Sequence, residues 1–299
     1  MQIVAFFNNK GGVGKTTLLC NIAAACAQDL GKRVLIVDAD PQRNASFYTL
    51  EAPAFNGVAK TGGLHRMLSN PKAPPATLLG SAHFGCHVLP GEAAMADLAP
   101  QFDVAWAAGD APYILNLKSV LDAQRMDYDL ILLDLPPTLN GLTRAGLIAA
   151  DAFVAPFDMD MFSLEGLKLI KDWVRRWEPA WRAMTETPPE ASVRARFIGG
   201  IANRMTKDSG ESSEQYGVIT KQIDSLTTAM ARDLGDRVRG VDYVVAEVPN
   251  FGEEAAHANR WRRPIFDARI RPAARQVFVA AAEQMLSNLE RFATLAKAA

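Results

Sequence analysis

Residues 11 to 17 read Gly11, Gly12, Val13, Gly14, Lys15, Thr16, Thr17. Three glycines in four positions let successive backbone N–H groups turn toward one anionic centre, and the N-terminus of a following helix adds a favourable dipole. A lysine directly behind them neutralises charge, and the hydroxyl next to it can ligate a divalent cation. The chemistry this pattern serves is the cradling of a polyphosphate, with Lys15 against the β- and γ-phosphates and Thr16 on Mg²⁺. The run follows the apolar stretch IVAFF (residues 3–7) and opens a helical pattern. That context separates a phosphate loop from an ordinary glycine turn.

Acidic residues stand at the ends of two further apolar runs. Asp134 closes LILLD, and a carboxylate at the tip of a buried strand needs a cation or a hydrogen-bond partner. It is the candidate that holds Mg²⁺ through water. Asp38 and Asp40 end VLIVDAD. Because DPQ is also good turn chemistry, Asp40 reads either as a site acid or as the cap of the turn that follows. His83, Cys86 and His87 in HFGCH have ligand-like types, but no fourth ligand is evident, and packing is the expectation there.

The elements that must position these groups are short β-rich runs alternating with helical patterns. IVAFF, VLIVDAD, LILLDLPP, AFVAPF, FIGGIAN and YVVAEVP are continuous apolar runs, which indicates parallel strands covered by helices on both faces. Helices are expected over about 16–29, ending at Gly31, and over 141–149, 163–176, 212–234 and 272–297. The stretches near 51–63 and 178–195 contain proline and glycine and read as surface insertions in a single domain of residues 1–299. Trp173, Trp177 and Trp181 lie at helical spacing, which favours packing over a partner site.

Composition limits the function. The chain has 299 residues, 49% hydrophobic and 22% charged, with a net charge of -1, so no global field draws it onto nucleic acid. Any DNA contact must come from a local patch. No apolar run reaches the roughly 18 residues that span a bilayer. The start of the chain lacks the basic residues and cleavage site of a signal peptide, so a cytoplasmic location is expected. Cys20, Cys26 and Cys86 form no CxxC pair and suit a reducing compartment.

Lys10 stands five residues before Lys15, a second lysine in a loop that departs from the general phosphate-loop pattern, whose first glycine lies six residues before its lysine. KGGVGKTT resembles the deviant Walker A motif of the ParA/MinD family of ATPases. VLIVDADPQRNAS resembles that family's second acidic motif, and YDLILLDLPPTLNGL with the segment through AFVAPFDMDMFSLEGL resembles its Walker B region. VPNFGEEAAHANRWRRPIFD resembles its late strand, helix and loop. The resemblance covers most of the chain in order. It implies an α/β fold, a doubly wound and mainly parallel sheet, with ATP and Mg²⁺ at the C-terminal ends of the strands.

The resemblance also supplies roles. Lys10 crosses an ATP-sandwich homodimer to touch the partner's phosphates, acting as a catalytic cation delivered in trans, as an arginine finger is. Asp40 places or activates the attacking water, and Asp38 supports Mg²⁺ or the loop. Asn203 and the backbone around Pro249 face the base. The family usually has glycine where this chain has Arg43, which alters the local loop.

Within the family, a nitrogenase-reductase-like role needs cluster cysteines that this set does not provide. A MinD-like membrane role needs a C-terminal amphipathic helix with a basic face, and EQMLSNLERFATLAKAA has only Arg291 and Lys297 as cations. A ParA-like role needs non-specific DNA binding. Residues 257–275 carry Arg260, Arg262, Arg263, Arg269, Arg271 and Arg275 against the single acid Asp267. The alternative for that cluster is a solvated surface with internal ion pairs. The reading is therefore a ParA-like ATPase, nucleoid-associated and stimulated by a ParB-like or other partner protein, that positions a plasmid, chromosome region or protein cargo. The runners-up are a membrane-surface regulator and a nucleotide-gated scaffold with negligible turnover.

Overall fold

The computed structural model describes residues 2–70, 76–158, 161–188, 191–205 and 213–298. Eight strands form one sheet: β1 (Gln2–Phe6), β2 (Val34–Asp38), β3 (Leu79–Ser81), β4 (Cys86–Leu89), β5 (Leu130–Asp134), β6 (Ala152–Asp158), β7 (Arg196–Met205) and β8 (Val244–Pro249). Their spatial order is β3-β4-β2-β5-β1-β6-β7-β8, and every pairing is parallel except β3 with β4. The helices are α1 (Lys15–Gln28), α2 (Asn44–Thr49), α3 (Ala52–Thr61), α4 (Leu64–Ser69), α5 (Met95–Ala108), α6 (Ala111–Ile114), α7 (Asn116–Asp122), α8 (Gly141–Ala149), α9 (Met161–Met184), α10 (Ser213–Asp233), α11 (Gly252–Trp261) and α12 (Arg275–Ala298).

All five residues of β2 and of β5 are buried, because helices cover both faces of the sheet. This is why those strands read as continuous apolar runs rather than alternating ones. β1 lies between β5 and β6, so the chain leaves it toward one side and later returns on the other. A crevice opens outside the strand ends at such a switch point, and the glycine run emerges from β1 there.

The six expected strands and five expected helices are present, and several elements differ in extent. The 51–63 stretch is a helix, α3, over Ala52–Thr61, with Pro53 in its first turn, where its missing N–H is no loss. The helix expected to end at 176 continues as α9 to Met184. The β3–β4 hairpin carries HFGCH, and its three polar side chains are engaged separately. His83 pairs with Glu51 at 3.0 Å, His87 meets the Tyr128 hydroxyl at 3.0 Å, and the Cys86 thiol is buried. Trp173, Trp177 and Trp181 are all buried. Trp173 and Trp177 meet edge to face, Trp181 stacks on Trp106 of α5, and the Arg144 guanidinium lies 4.2 Å from the Trp106 ring centre.

The C-terminal helix is part of the same core. Phe278, Ala281, Met285, Leu289 and Phe292 of α12 are buried, and Asn288 donates to the carbonyls of Ile198 and Asp242. Its apolar face, through Phe292, is therefore covered by the protein itself. No helix of the described residues is long and apolar enough to cross a membrane.

Candidate functional site

The glycine run turns as its sequence demands. Gly12 and Gly14 have φ of 80° and 83°, in the left-handed region where a side chain is disfavoured. A Cβ on Gly14 would also collide with the side-chain amide of Asn203. Gly11 and Gly12 are exposed, Val13 is buried beneath them, and Lys15, Thr16 and Thr17 open α1. Lys15 Nζ folds back over the loop to the Lys10 carbonyl at 3.2 Å. Burial lowers the Lys15 pKa, against the opposing pull of Asp134 and Asp40. The loop entrance is pinned by Asn8, whose Oδ1 accepts from Lys10 N–H at 2.9 Å and whose Nδ2 donates to the Pro156 carbonyl at 2.7 Å.

Thr16 Oγ1 donates to Asp134 Oδ2 at 2.7 Å. The other oxygen, Asp134 Oδ1, is buried with no hydrogen-bond partner among the described residues. Burial, reinforced by the nearby Asp38, pushes the Asp134 carboxyl well above the usual range. A buried carboxylate with one unsatisfied oxygen beside a hydroxyl and a lysine fits a divalent cation in both charge and ligand type. Thr16 and Asp134 are the residues that would hold it.

Asp38 is used differently. Its Oδ2 accepts from Ser46 N–H at 2.8 Å and Ser46 Oγ at 2.6 Å, and its Oδ1 accepts from Asp40 N–H at 3.2 Å. Burial raises its pKa to about 6 despite those bonds. Both oxygens of Asp38 thus anchor α2 and the Asp40 turn. Asp40 accepts from Gln42 N–H through Oδ1 at 2.9 Å, while its carbonyl accepts from Arg43 N–H at 2.8 Å. The turn reading of Asp40 and the site reading are therefore compatible: the carboxylate caps the turn, and its negative charge opposes the lowering of the Lys15 pKa by burial.

A cavity of about 290 Å³ opens beside the loop, between Gly14 and Thr17, the end of β7 at Asn203 and Arg204, and α11 at Ala255 and Asn259. Asn203 lines it and donates to the Val13 carbonyl at 3.0 Å. Pro249 does not line it; its neighbours Val248 and Asn250 do, because Pro249 pairs in register with Met205 on β7 and its side chain is exposed. Arg204 is a residue that motif reading missed. It bridges Gly12 O at 2.8 Å and Asp158 Oδ2 at 3.0 Å with its backbone in the left-handed region, φ 54°. Its only sequence signal is adjacency to Asn203.

The late arginines do not form one open cationic patch. Arg263 pairs with Asp267 at 2.9 Å, Arg271 pairs with Glu254, and Arg275 Nη1 reaches both oxygens of Asp29 at 2.9 and 2.8 Å. Arg262 is half-buried; it donates to the Leu50 carbonyl and lies 4.5 Å from the Phe47 ring centre. Arg260 and Arg269 are exposed, with no carboxylate within 4.0 Å of either guanidinium among the described residues.

Comparison with known proteins agrees with this geometry. The AAA_31 family model, an AAA domain, matches residues 1–182. The chain is 38% identical over 165 residues to the chromosome-partitioning ATPase Soj of Thermus thermophilus, covering 55% of this chain and 57% of that protein. It is 33% identical over 267 residues to the chromosome-partitioning ATPase Soj of Treponema pallidum, covering 84% and 87%. The alignment to the Thermus protein thus spans little more than half of that relative. In fold it is similar to the ATP complex of a Cyanothece McdA variant, with a TM-score of 0.70 at 17% identity over 95% of this chain and 96% of that one. From the model match and the Treponema relative, the chain belongs to the ParA-type partition family of P-loop ATPases.

Proposed function

We propose that this protein is a Mg²⁺-dependent ATPase that forms a homodimer around ATP, binds DNA without sequence preference and positions a cargo on the nucleoid. The observation that carries the reading is the Thr16–Asp134 pair with its unsatisfied carboxylate oxygen, set against Lys15 at the glycine loop. That is a site for a metal-bound triphosphate. When bound, Mg²⁺ supplies charge neutralisation between the phosphates. Lys15 leaves the Lys10 carbonyl for the phosphates, and Asp40 orients the water and takes its proton as it attacks the γ-phosphorus and ADP departs. Asn203 and Asn250 border the space for the base.

Lys10 acts in trans. A loop that already holds Lys15 gains little from a second cation in the same chain, whereas one delivered by a second copy makes dimerisation depend on the triphosphate. DNA contact falls to the arginines that no carboxylate occupies, Arg260 and Arg269, doubled in the dimer. A ParB-like partner would stimulate hydrolysis, as chromosome partitioning by the Soj relatives suggests. A membrane-surface role has less support, because the apolar face of α12 is already buried.

The test is Lys10→Ala. Nucleotide binding should persist in part, while ATP-dependent dimerisation, read by light scattering with and without ATP, and stimulated hydrolysis should be lost. Normal dimerisation and turnover in the variant would sink the trans-lysine role.

A further inference from the structure

Arg43 adopts φ 58° and ψ 32° at the start of α2, three residues after Asp40. A left-handed backbone at a residue with a long side chain is held only where the surroundings fix it, and such outliers point toward function. What fixes this one is visible. The Arg43 guanidinium lies 5.1 Å from the Phe55 ring centre on α3. Arg262, the residue that caps the C-terminal end of α11, lies 5.6 Å from the same ring and 4.5 Å from Phe47 on α2, which meets Phe55 edge to face at 5.6 Å. Arg262 also donates to the Leu50 carbonyl at the end of α2. Arg43 Nε is buried without a hydrogen-bond partner among the described residues, so the ring contact, not a polar bond at that atom, holds the side chain.

We infer that Arg43 is a positioning residue for the Asp40 turn. Through Phe55 and Arg262 it clamps that turn to α11, the helix that borders the base cavity. The near side of the turn is tied by Asp40 N–H to the Asp38 carboxylate. Its far side is tied by Gln42 N–H to the Asp40 carboxylate and Arg43 N–H to the Asp40 carbonyl, which run through the residue next to Arg43 and through Arg43 itself. Losing the ladder of cations and rings frees the turn to shift without removing any group that touches phosphate, cation or base. Asp40 then loses its aim while nucleotide binding stays. The inference rests on the assignment of Asp40 to the attacking water.

Arg43→Gly and Phe55→Ala separate this from a merely structural role. Glycine relieves the left-handed backbone, so Arg43→Gly should fold at least as stably as the wild type, yet turn over ATP about tenfold or more slowly, since small misplacements at a reacting centre are costly. Phe55→Ala should do the same from α3, and Phe55→Tyr, which keeps the ring face, should restore the rate. Affinity for ATP should be unchanged in all three. Amide hydrogen exchange at residues 42–46 should quicken in Arg43→Gly and Phe55→Ala and return to the wild-type rate in Phe55→Tyr, a readout that does not depend on fast turnover. Wild-type exchange at 42–46 in Phe55→Ala, or wild-type turnover in Arg43→Gly, overturns the inference. A loss of ATP affinity that accounts for the slower rate overturns it too. Asp40→Ala, measured alongside, isolates the underlying assignment: if it turns over normally, the role of Asp40 is wrong whatever the ladder variants do.

Discussion

The glycine loop and the late arginine segment are both dense runs of functional-looking residues, and they behave oppositely. In residues 11–17 the chemistry is carried by backbone N–H groups and by side chains whose direction follows from a strand–loop–helix turn. Local sequence therefore dictates the geometry, and left-handed Gly12 and Gly14 execute it. In residues 260–275 the chemistry would be carried by free guanidinium charge. Whether a charge is free depends on carboxylates and rings brought in from elsewhere. Asp29 captures Arg275 from 246 residues away, and Leu50 with Phe47 captures Arg262 from more than 200. A motif made of backbone is legible locally, and a motif made of charge is not.

The largest effect that sharpens this contrast is expected at Asp134. Replacing it with alanine removes the unsatisfied oxygen and the acceptor of Thr16 together. Mg²⁺–nucleotide affinity should fall by roughly 100-fold, the upper end for losing a group that holds a metal or its ligands. Titration calorimetry with and without Mg²⁺ reads it. An equal affinity with and without the metal in the wild type would show that the Thr16–Asp134 pair is only a strand cap.

Next in size is Arg262→Glu. Were the segment an open patch, this reversal would abolish DNA binding and leave the fold intact. The structure instead predicts a stability loss of roughly 2–3 kcal/mol, from a charged hydrogen bond and two ring contacts that glutamate cannot make. Denaturant unfolding monitors it. Unchanged stability would return Arg262 to the surface and restore the patch.

The same division explains what the sequence conveyed elsewhere. β1, β2, β5, β6 and most of β7 are readable because burial on both faces writes itself as an uninterrupted apolar run, while β8, a partly buried edge strand, is readable from its valines alone. The β3–β4 hairpin is not, since strands of three and four residues are too short to show a period. α3 hides behind proline and glycine that look like loop chemistry, although Pro53 sits in the first turn, where a helix tolerates it. In the site, Lys15, Thr16 and Asp134 come straight from spacing. Arg204 has no motif, because its two partners, Gly12 and Asp158, lie on other elements. Asp38 was identifiable as a site acid, but its bonds to Ser46 depend on how α2 docks.

The smallest effect on the fold, and the most informative about function, belongs to Arg260 and Arg269. Both are exposed, and neither guanidinium has a carboxylate within reach among the described residues, so reversing both to glutamate should leave stability within about 0.5 kcal/mol of the wild type. If they contact DNA phosphates, each releases condensed counterions on binding. Their loss should then weaken binding at low salt and flatten the log–log salt dependence by roughly two units, about one for each contact. The measurement is a titration with duplex DNA at several salt concentrations, with ATP and with ADP. If ATP joins two copies of the chain, as proposed, the dimer would present two copies of the pair to one duplex, so the difference between variant and wild type should be largest with ATP. A variant that keeps the wild-type slope would mean that the contacts are made elsewhere on the chain, with Arg260 and Arg269 merely solvated. A wild type that ignores DNA at low salt but binds anionic liposomes would replace the DNA-binding reading with a membrane-surface one. In that case the contact would have to come from something other than the α12 face, since Phe278, Met285, Leu289 and Phe292 are already buried in the core.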